Sequence, residues 1–239
     1  MRYIPDFITS LNLASGFIAI IFATYGDLLT ASWFILGAMI FDFLDGFSAR
    51  LLKAYSDIGK ELDSLADVVS FGVAPGLIIF RMLGTSFLFG ATNIVRFEIP
   101  GSVLILLISV IMPVCAALRL AKFNIDTTQA TAFKGLPTPA NALAVISLVF
   151  AVHYSHSTIF AMFIGSPVLV IAFSLILSLM MISRIKLLSL KVSDLNLKGN
   201  EGRLILGASL LVSFAFFGIA AAPFIIPLYI LASLLSMLF

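Results

Sequence analysis

Charged side chains are scarce in this sequence of 239 residues. Asp, Glu, Lys and Arg make up only 11% of the chain, hydrophobic residues make up 61%, and the mean hydropathy is +1.16. Soluble domains carry about a quarter charged residues, so this composition excludes an ordinary soluble domain and indicates an integral membrane protein. The apolar stretches are continuous and do not alternate with polar residues, which favours transmembrane helices over a β-barrel.

Cysteine and histidine are also nearly absent, which excludes further classes of site. The chain has one cysteine, Cys115, and two histidines. A disulfide framework and a thiolate metal site are therefore excluded, and Cys115 is predicted to pack in an apolar run. The formal net charge is only +2, and it reflects basic residues near the ends of apolar stretches. We therefore expect no nucleic-acid partner.

The apolar stretches predict an all-α polytopic bundle with about eight transmembrane helices, because each stretch is long enough to cross the hydrocarbon core. The last two helices come from one uncharged stretch, in which Pro223 and Pro227 predict a tight helical hairpin. Residues 82–100 are predicted to lie at the membrane interface, and residues 1–239 form a single domain. The predicted spans are 7–26, 30–52, 59–81, 101–121, 138–153, 159–183, 203–221 and 223–239.

The distribution of Lys and Arg predicts the orientation, because cytoplasmic loops are enriched in these residues. If the N-terminus is cytoplasmic, twelve of the 14 basic residues fall on that side, and only Arg81 and Arg96 fall on the other. We therefore predict an N-in, C-in topology in a prokaryotic inner membrane. The acidic residues at the ends of the second and third spans then lie at the cytoplasmic face.

Carboxylates are concentrated in one short region. Six of the 12 acidic residues lie between Asp42 and Asp67. Asp42 and Asp45 are three apart, and Asp63 and Asp67 are four apart, so each pair occupies one face of a helix. The second and third spans are predicted to be antiparallel neighbours, which brings four repelling carboxylates together. A hard cation such as Mg²⁺ or Mn²⁺ would relieve the repulsion, and four carboxylates can hold two ions.

The residues around the aspartates suit a phosphate-bearing ligand. Gly46 and Ala49 lie on the face of the first two aspartates, where small side chains allow either close ligand approach or helix packing. Gly59 begins the third span, where free N–H groups can meet phosphate oxygens. Arg50 offers a forked donor to a diphosphate.

A protein of another class could use the same aspartates. Acidic residues in membrane helices also form ion paths, so a divalent-cation or proton-coupled transporter stays open as an alternative. The carboxylates lie near one membrane face, however, and the later spans offer no ionisable relay to continue a path. Asp57 and Glu61 lie in the turn or on another helix face, and we interpret them as solvated charges.

The aspartate region resembles the signature of the CDP-alcohol phosphotransferases. The resemblance implies an integral membrane enzyme that transfers a phosphoalcohol or phosphatidyl group from a CDP-linked donor to a hydroxyl, with release of CMP. It also implies a dimetal site at the first three aspartates, with the last one as ligand or general base. The matching pattern is Asp42-x-x-Asp45-Gly46-x-x-Ala49-Arg50, then Gly59-x-x-x-Asp63-x-x-x-Asp67. The nucleotide end would contact Gly46, Ala49, Arg50, Gly59, Thr9 and Asn12, although the last two can equally cap or pack.

Other segments resemble the phosphatidylserine synthase branch of this family. They are IPDFITSLNLASG near the N-terminus, RLAKFN at 119–124 and FKGLPTPAN at 133–141. The resemblance implies CDP-diacylglycerol and L-serine as substrates in a membrane-lipid environment. Serine would be bound by the acceptor segment, residues 119–141, through Arg119, Asn124 and Lys134. Lys122 stands where the branch more often has Arg, a change that retains a cation.

Two interpretations of this later region stay open. Its cations can bind the serine carboxylate or lipid phosphates, or they can simply meet anionic headgroups. A sister enzyme that uses glycerol phosphate or inositol phosphate is the nearest alternative, and its acceptor would need a denser basic pocket. A homodimer is one arrangement that the sequence allows.

Overall fold

The chain is almost entirely helical in the part that the computed structural model describes, residues 3–54, 56–87, 100–125, 133–155, 157–188 and 201–236. Two short strands pair with each other in antiparallel fashion. The elements are α1 (Ile4–Tyr25), α2 (Leu28–Leu52), α3 (Asp57–Asp67), a π-helix (Val68–Val73), α4 (Ala74–Phe87), α5 (Pro100–Ile125), β1 (Phe133–Lys134), α6 (Thr138–Ser155), α7 (Thr158–Gly165), α8 (Pro167–Ile182), β2 (Lys186–Leu187), α9 (Glu201–Phe217), a 3₁₀ helix (Gly218–Phe224) and α10 (Ile225–Leu235).

The structure agrees with an all-helical integral membrane protein. In the described ranges, six helical segments are long and apolar enough to cross a membrane, and a bent pair of helices raises the number to seven. That pair, α7 and α8, replaces the predicted continuous span 159–183 and is bent by 84°. Ser166 has an extended backbone because Pro167 follows it, and this interrupts the helix. The count of eight and the N-in, C-in orientation stay predictions.

The C-terminal apolar stretch departs from a regular α-helix where a hairpin was predicted. A 3₁₀ helix over Gly218–Phe224 includes Pro223, and the flanking helices α9 and α10 contact each other. Gly218 begins this segment with a φ of 54°, in the left-handed region that glycine adopts at little cost. The helical run Ile205–Leu235 is continuous by residue, so its division into two spans stays a prediction.

The third predicted span is longer than residues 59–81. Helix α3, the π-helix and α4 follow one another without interruption from Asp57 to Phe87. Met82 and Leu83 are fully buried, so the first part of the predicted interfacial segment 82–100 belongs to the helical bundle instead. Residues 88–99 of that segment lie outside the described ranges.

Helix α1 is the packing centre of the aspartate region. It forms an antiparallel hairpin with α2, closed by Gly26 in the left-handed region and by Asp27 as the N-cap of α2. It also packs against α3, whereas α2 and α3 make little direct contact. The second predicted span meets the third mainly through the π-helix and α4, and α1 fills the space beside α2 and α3. The carboxylates of α2 and α3 nevertheless come together, as predicted.

The π-helix is held by small residues and side-chain hydrogen bonds. A Cβ at Gly16 of α1 would lie 2.1 Å from the Ser70 hydroxyl oxygen, so only glycine allows this approach. The Ser70 hydroxyl donates to the Asn12 carbonyl at 3.1 Å, and the Asn141 amide donates to the Phe71 carbonyl at 3.1 Å. These bonds fix the turn that directly follows the last aspartate of the signature.

Candidate active site

Three of the four signature aspartates meet at one point. Asp42 of α2 and Asp63 and Asp67 of α3 each place a carboxylate oxygen within 4.8 Å of the others. Oδ1 of Asp63 and Oδ1 of Asp67 are buried and have no hydrogen-bond partner among the described residues. Carboxylates at this separation repel one another when ionised, and buried polar atoms normally have partners. We call Asp42, Asp63 and Asp67 the carboxylate cluster.

Asp45 stands beside this cluster with a partner of its own. Its Oδ2 accepts a hydrogen bond of 2.6 Å from the Thr9 hydroxyl, which also lies 3.0 Å from the Pro5 carbonyl oxygen. Asp45 is 6% exposed and Thr9 is 3% exposed. Thr9 was predicted at the nucleotide end, and the structure gives it a defined role in orienting Asp45.

A cavity of about 210 Å³ opens next to the cluster. It lies between the start of α1, the end of α2 and the start of α3, where α2 and α3 stand apart. Six of the residues predicted to bind metal or nucleotide line it, and five further residues complete the lining. The first group is Thr9, Asp45, Gly46, Ala49, Gly59 and Asp63, and the second is Pro5, Asp6, Ala54, Ser56 and Lys60.

The two glycines of the signature differ in their surroundings. A Cβ at Gly46 would meet no described atom within 4 Å, so Gly46 does not serve helix packing there and instead leaves space in the cavity wall. Gly59 is crowded, because a Cβ there would lie 2.7 Å from Asp6 Oδ1 and 2.9 Å from the Ser56 hydroxyl oxygen. The helix begins at Asp57, and the N–H of Gly59 is already bonded to Ser56. It is therefore not the free donor that was predicted.

Two other residues predicted at the nucleotide end lie apart from the cavity lining. Arg50 is exposed, and its Nε donates to the Gly46 carbonyl at 2.9 Å, which folds the side chain back along α2. Asn12 is fully buried one turn beyond Thr9, and its amide atoms have no hydrogen-bond partner within the described ranges. It neighbours Asp67 and not the cavity.

Asp67 is approached from the other side by the acceptor segment. The hydroxyl of Thr138, the first residue of α6, donates to Asp67 Oδ2 at 3.3 Å. Arg119 of α5 is 8% exposed and interacts electrostatically with both Asp67 and Tyr229 of α10. The Nε of Arg119 has no hydrogen-bond partner among the described residues. Arg119, predicted to bind the acceptor, therefore lies within electrostatic range of Asp67, and its binding role stays a prediction.

The structure does not bring Asn124 to the aspartates. Its amide donates to the Ser64 hydroxyl at 2.8 Å, and its carbonyl accepts from Lys60 at 3.1 Å. These contacts join the end of α5 to α3. Lys134 has a described backbone in β1, paired with Lys186, but its side chain lies outside the described part of the structure. The binding roles of Asn124 and Lys134 stay predictions.

Asp57 and Glu61 lie in the same part of the chain as the signature aspartates but are exposed, as expected of solvated charges. Thr138 and Asn141 lie within the segment FKGLPTPAN, but the sequence gives no reason to prefer them over its other polar residues. The sequence has no signal for the π-helix either, whose Phe71 carbonyl accepts the hydrogen bond from Asn141.

The carboxylate cluster fits a divalent cation. Its donors are oxygens only, which suits a hard ion such as Mg²⁺ or Mn²⁺. The unpartnered oxygens of Asp63 and Asp67 are the atoms that such an ion would satisfy. Asp42 supplies the third oxygen of the cluster.

Comparison with known proteins places the chain in a family. The family model for CDP-alcohol phosphatidyltransferase matches residues 2–180. The chain is similar to the CDP-diacylglycerol–serine O-phosphatidyltransferases of Bacillus subtilis (33% identical, 78% of this chain and 90% of the relative) and Methanocaldococcus jannaschii (38% identical, 68% of each chain). It is also similar to the archaetidylserine synthase of Methanothermobacter thermautotrophicus (33% identical, 71% of this chain and 67% of the relative). Because the family model covers most of the chain, this chain belongs to the CDP-alcohol phosphatidyltransferase family.

Proposed function

We propose that this protein is a CDP-diacylglycerol–serine O-phosphatidyltransferase, which transfers the phosphatidyl group of CDP-diacylglycerol to the hydroxyl of L-serine and releases CMP. The observation that carries the proposal is that Asp67 belongs to the carboxylate cluster and also accepts a hydrogen bond from Thr138 of the acceptor segment. The relatives named as serine transferases support the choice of acceptor.

The cavity of about 210 Å³ is the proposed site of the donor's nucleotide and diphosphate. Gly46 leaves room for the ligand against α2, and Lys60 in the cavity lining supplies a positive charge for phosphate oxygens. Arg50, one turn beyond Gly46, is exposed at the same end of α2 and can swing from the Gly46 carbonyl to the diphosphate. The donor would enter laterally from the membrane.

The carboxylate cluster and Asp45 are the proposed ligands of Mg²⁺ or Mn²⁺, with two ions as the expected number. When bound, the metal would supply electrostatic stabilisation of the negative charge on the phosphoryl oxygens and on departing CMP. Thr9 would keep the Asp45 carboxylate turned toward the cavity through the hydrogen bond of 2.6 Å.

Asp67 is the proposed general base. Its Oδ2 accepts a hydrogen bond from Thr138, on the side of the acceptor segment, and this carboxylate is proposed to accept the proton of the serine hydroxyl. The serine oxygen forms a bond to the β-phosphorus as the bond between that phosphorus and the CMP oxygen breaks. The proton moves to Asp67, and CMP leaves with the bonding electron pair.

Arg119 is the proposed partner of the serine carboxylate. It is buried within electrostatic range of Asp67, and its Nε, which has no described partner, is a donor that a carboxylate can satisfy. Lys134, in the strand that leads into α6, is proposed as a second cation. Asn124 would act at the edge of this site through the end of α5.

The proposed cellular arrangement follows from the basic residues. An N-in, C-in topology would place the cavity at the cytoplasmic face of a prokaryotic inner membrane. A homodimer is also proposed, and light scattering of the detergent-solubilised protein after size-exclusion chromatography checks it.

The acceptor assay tests the function directly. Purified protein is supplied with CDP-diacylglycerol, Mn²⁺ and labelled L-serine, glycerol 3-phosphate or inositol phosphate, and lipid product and CMP are measured. We expect serine alone to be incorporated, with one CMP for each lipid formed. Incorporation of a phosphate-bearing acceptor would support a sister transferase, and cation uptake into vesicles without CMP release would support a transporter.

Two substitutions test the acceptor site within this function. Arg119→Ala and Lys134→Ala should raise the serine KM by about ten- to a hundredfold, because each removes a charged contact, and should leave the CDP-diacylglycerol KM nearly unchanged. Steady-state kinetics with each substrate varied in turn measures both constants. A rise in the donor KM with an unchanged serine KM would move these cations to the diphosphate.

A further inference from the structure

The backbone of Leu188 is held at both polar groups by side chains of α10. The Tyr229 hydroxyl donates to the Leu188 carbonyl at 2.9 Å, and the Leu188 N–H donates to the Ser233 hydroxyl at 3.1 Å. Tyr229 is 6% exposed and Ser233 is 1% exposed, so these bonds are shielded from competing partners. We call this pair of contacts the α10 latch.

The latch continues into the acceptor segment through backbone pairing. Leu188 directly follows β2, and β2 pairs with β1 of the acceptor segment. Gly135, which directly follows β1, donates its N–H to the Ile185 carbonyl at 2.9 Å. Leu136 donates its N–H to the Met180 carbonyl at 3.0 Å. Two residues later, α6 begins with Thr138, the residue that donates to Asp67.

Gly135 makes this connection a tight one. Its φ is +78°, and a Cβ there would lie 2.5 Å from the Met181 carbonyl oxygen and 2.9 Å from the Ser183 carbonyl oxygen. The turn therefore rests directly on the carboxyl end of α8. Because no side chain intervenes, a shift of the 183–188 segment is transmitted to the start of α6.

Tyr229 also lies on the Arg119 side of the site. Besides holding Leu188, it is within electrostatic range of Arg119. A single α10 residue thus neighbours the proposed serine-binding cation and holds the strand that is paired with Phe133–Lys134.

We infer that Tyr229 and Ser233 are positioning residues for the acceptor: the α10 latch fixes the paired segments 133–136 and 185–188 and thereby sets the geometry of serine binding. The inference rests on the proposed function for its kinetic consequence, since it assigns the last helix a part in acceptor selection. It does not involve the donor cavity, whose described lining comes from residues 5–63.

The test compares substitutions of the latch with matched controls on purified full-length protein. Tyr229→Phe and Ser233→Ala each remove one hydroxyl, whereas Ser233→Thr keeps a hydroxyl at that position. Tyr154→Phe and Ser236→Ala are the controls, because the Tyr154 hydroxyl contacts Trp33 at the opposite end of α6 and the Ser236 hydroxyl bonds within its own helix turn. The serine KM, the CDP-diacylglycerol KM and amide hydrogen exchange of segments 133–136 and 185–188 are measured.

We expect each latch variant to raise the serine KM by roughly two- to tenfold, as for the loss of one hydrogen bond, with an unchanged donor KM. Amide exchange in both segments should become faster in Tyr229→Phe and Ser233→Ala. Ser233→Thr should match wild type, and the two controls should change neither the serine KM nor the exchange rates. Unchanged exchange and kinetics, or an equal rise in both KM values, would overturn the inference. Hydrogen exchange needs no turnover, so a wild-type protein inactive toward serine would reject the proposed function while the latch is still judged by exchange.

Discussion

Each end of the helical bundle has a cavity with at least one aspartate near it. The two ends differ in whether the carboxylate oxygens have hydrogen-bond partners in their own helix. At the turn between α1 and α2, Asp27 accepts the N–H of Thr30 at 3.0 Å and is exposed. This bond lowers the pKa of Asp27 below its usual range, with the nearby His153 adding a smaller effect in the same direction. At the other end, Asp63 and Asp67 each have a buried Oδ1 that lacks a described partner.

Cavity size does not indicate which end holds the candidate active site, because the larger cavity lies at the Asp27 end. The cavity beside Asp27 has a volume of about 430 Å³, against about 210 Å³ beside Asp45 and Asp63. The larger one is lined mainly by apolar side chains of α2, α4 and α6. A carboxylate satisfied by its own helix stabilises the fold, whereas carboxylates left facing one another indicate a ligand.

The largest expected effect separates the two kinds of aspartate. Asp42→Ala and Asp63→Ala should abolish serine-dependent CMP release, because each removes an oxygen of the carboxylate cluster that the other side chains cannot replace. Asp27→Ala is the matched control and should keep near wild-type turnover in the same assay. Comparable losses in Asp27→Ala and Asp63→Ala would remove the distinction between the two ends.

Asp67→Asn sharpens the comparison within the cluster. The amide cannot accept the serine proton, so turnover should fall by about 10²- to 10⁴-fold, while its oxygen can still act as a weak ligand. Mn²⁺ affinity, measured by calorimetric titration, should therefore fall less than in Asp63→Asn. An equal fall in affinity in both variants would make Asp67 primarily a ligand.

Gly46→Ala should separate stability from activity. The added methyl group meets no described atom, and replacing a helical glycine by alanine stabilises the helix by about 0.5–1 kcal/mol. The same methyl group enters the cavity, so the CDP-diacylglycerol KM should rise about tenfold. Thermal unfolding and donor kinetics measure the two effects.

Gly207→Ala on α9 is the control for this substitution, because a Cβ there also meets no described atom within 4 Å. It should give the helix stabilisation without the change in donor KM. If Gly46→Ala leaves the donor KM unchanged as well, the ligand does not approach α2 at this residue.

The smallest effect is expected at Asp27. Asp27→Ala should lower the free energy of unfolding by about 1 kcal/mol at neutral pH, through loss of the N-cap. Because the folded-state pKa is lowered, the contribution of the ionised group is present above the unfolded pKa of about 3.9 and is lost as the pH falls through the folded pKa. Asp27→Asn should retain the cap without this titration, and thermal unfolding at several pH values checks both. Equal stability of Asp27→Ala and wild type would show that the cap is dispensable.

Much of the site was predictable because the chemistry is local in sequence. The spacings of Asp42, Asp45, Asp63 and Asp67 placed the carboxylates on common helix faces, and the family resemblance joined Gly46, Ala49 and Gly59 to them. The order of the helices followed from hydropathy. These features depend on residues a few turns apart, where helical periodicity is reliable.

The remainder depends on contacts between distant elements. Periodicity gave no reason to expect α1 beside both acidic helices, the π-helix after Asp67, or the bend before Pro167 within one apolar run. The bonds from Thr9 to Asp45 and from Thr138 to Asp67 join residues 36 and 71 positions apart. Asn124 matched a motif, yet its amide is bonded to Ser64, because a motif shows which residues occur and not where their side chains point.

The most direct test of the central claim is a Mn²⁺ titration of purified protein without substrates, followed by electron paramagnetic resonance. The claim is that the carboxylates without local partners form the divalent-cation site. It predicts bound Mn²⁺ in wild type and in Asp27→Ala, and loss of binding in Asp63→Ala. Circular dichroism should show that all three proteins are folded. Wild-type affinity for Mn²⁺ in folded Asp63→Ala would contradict the account.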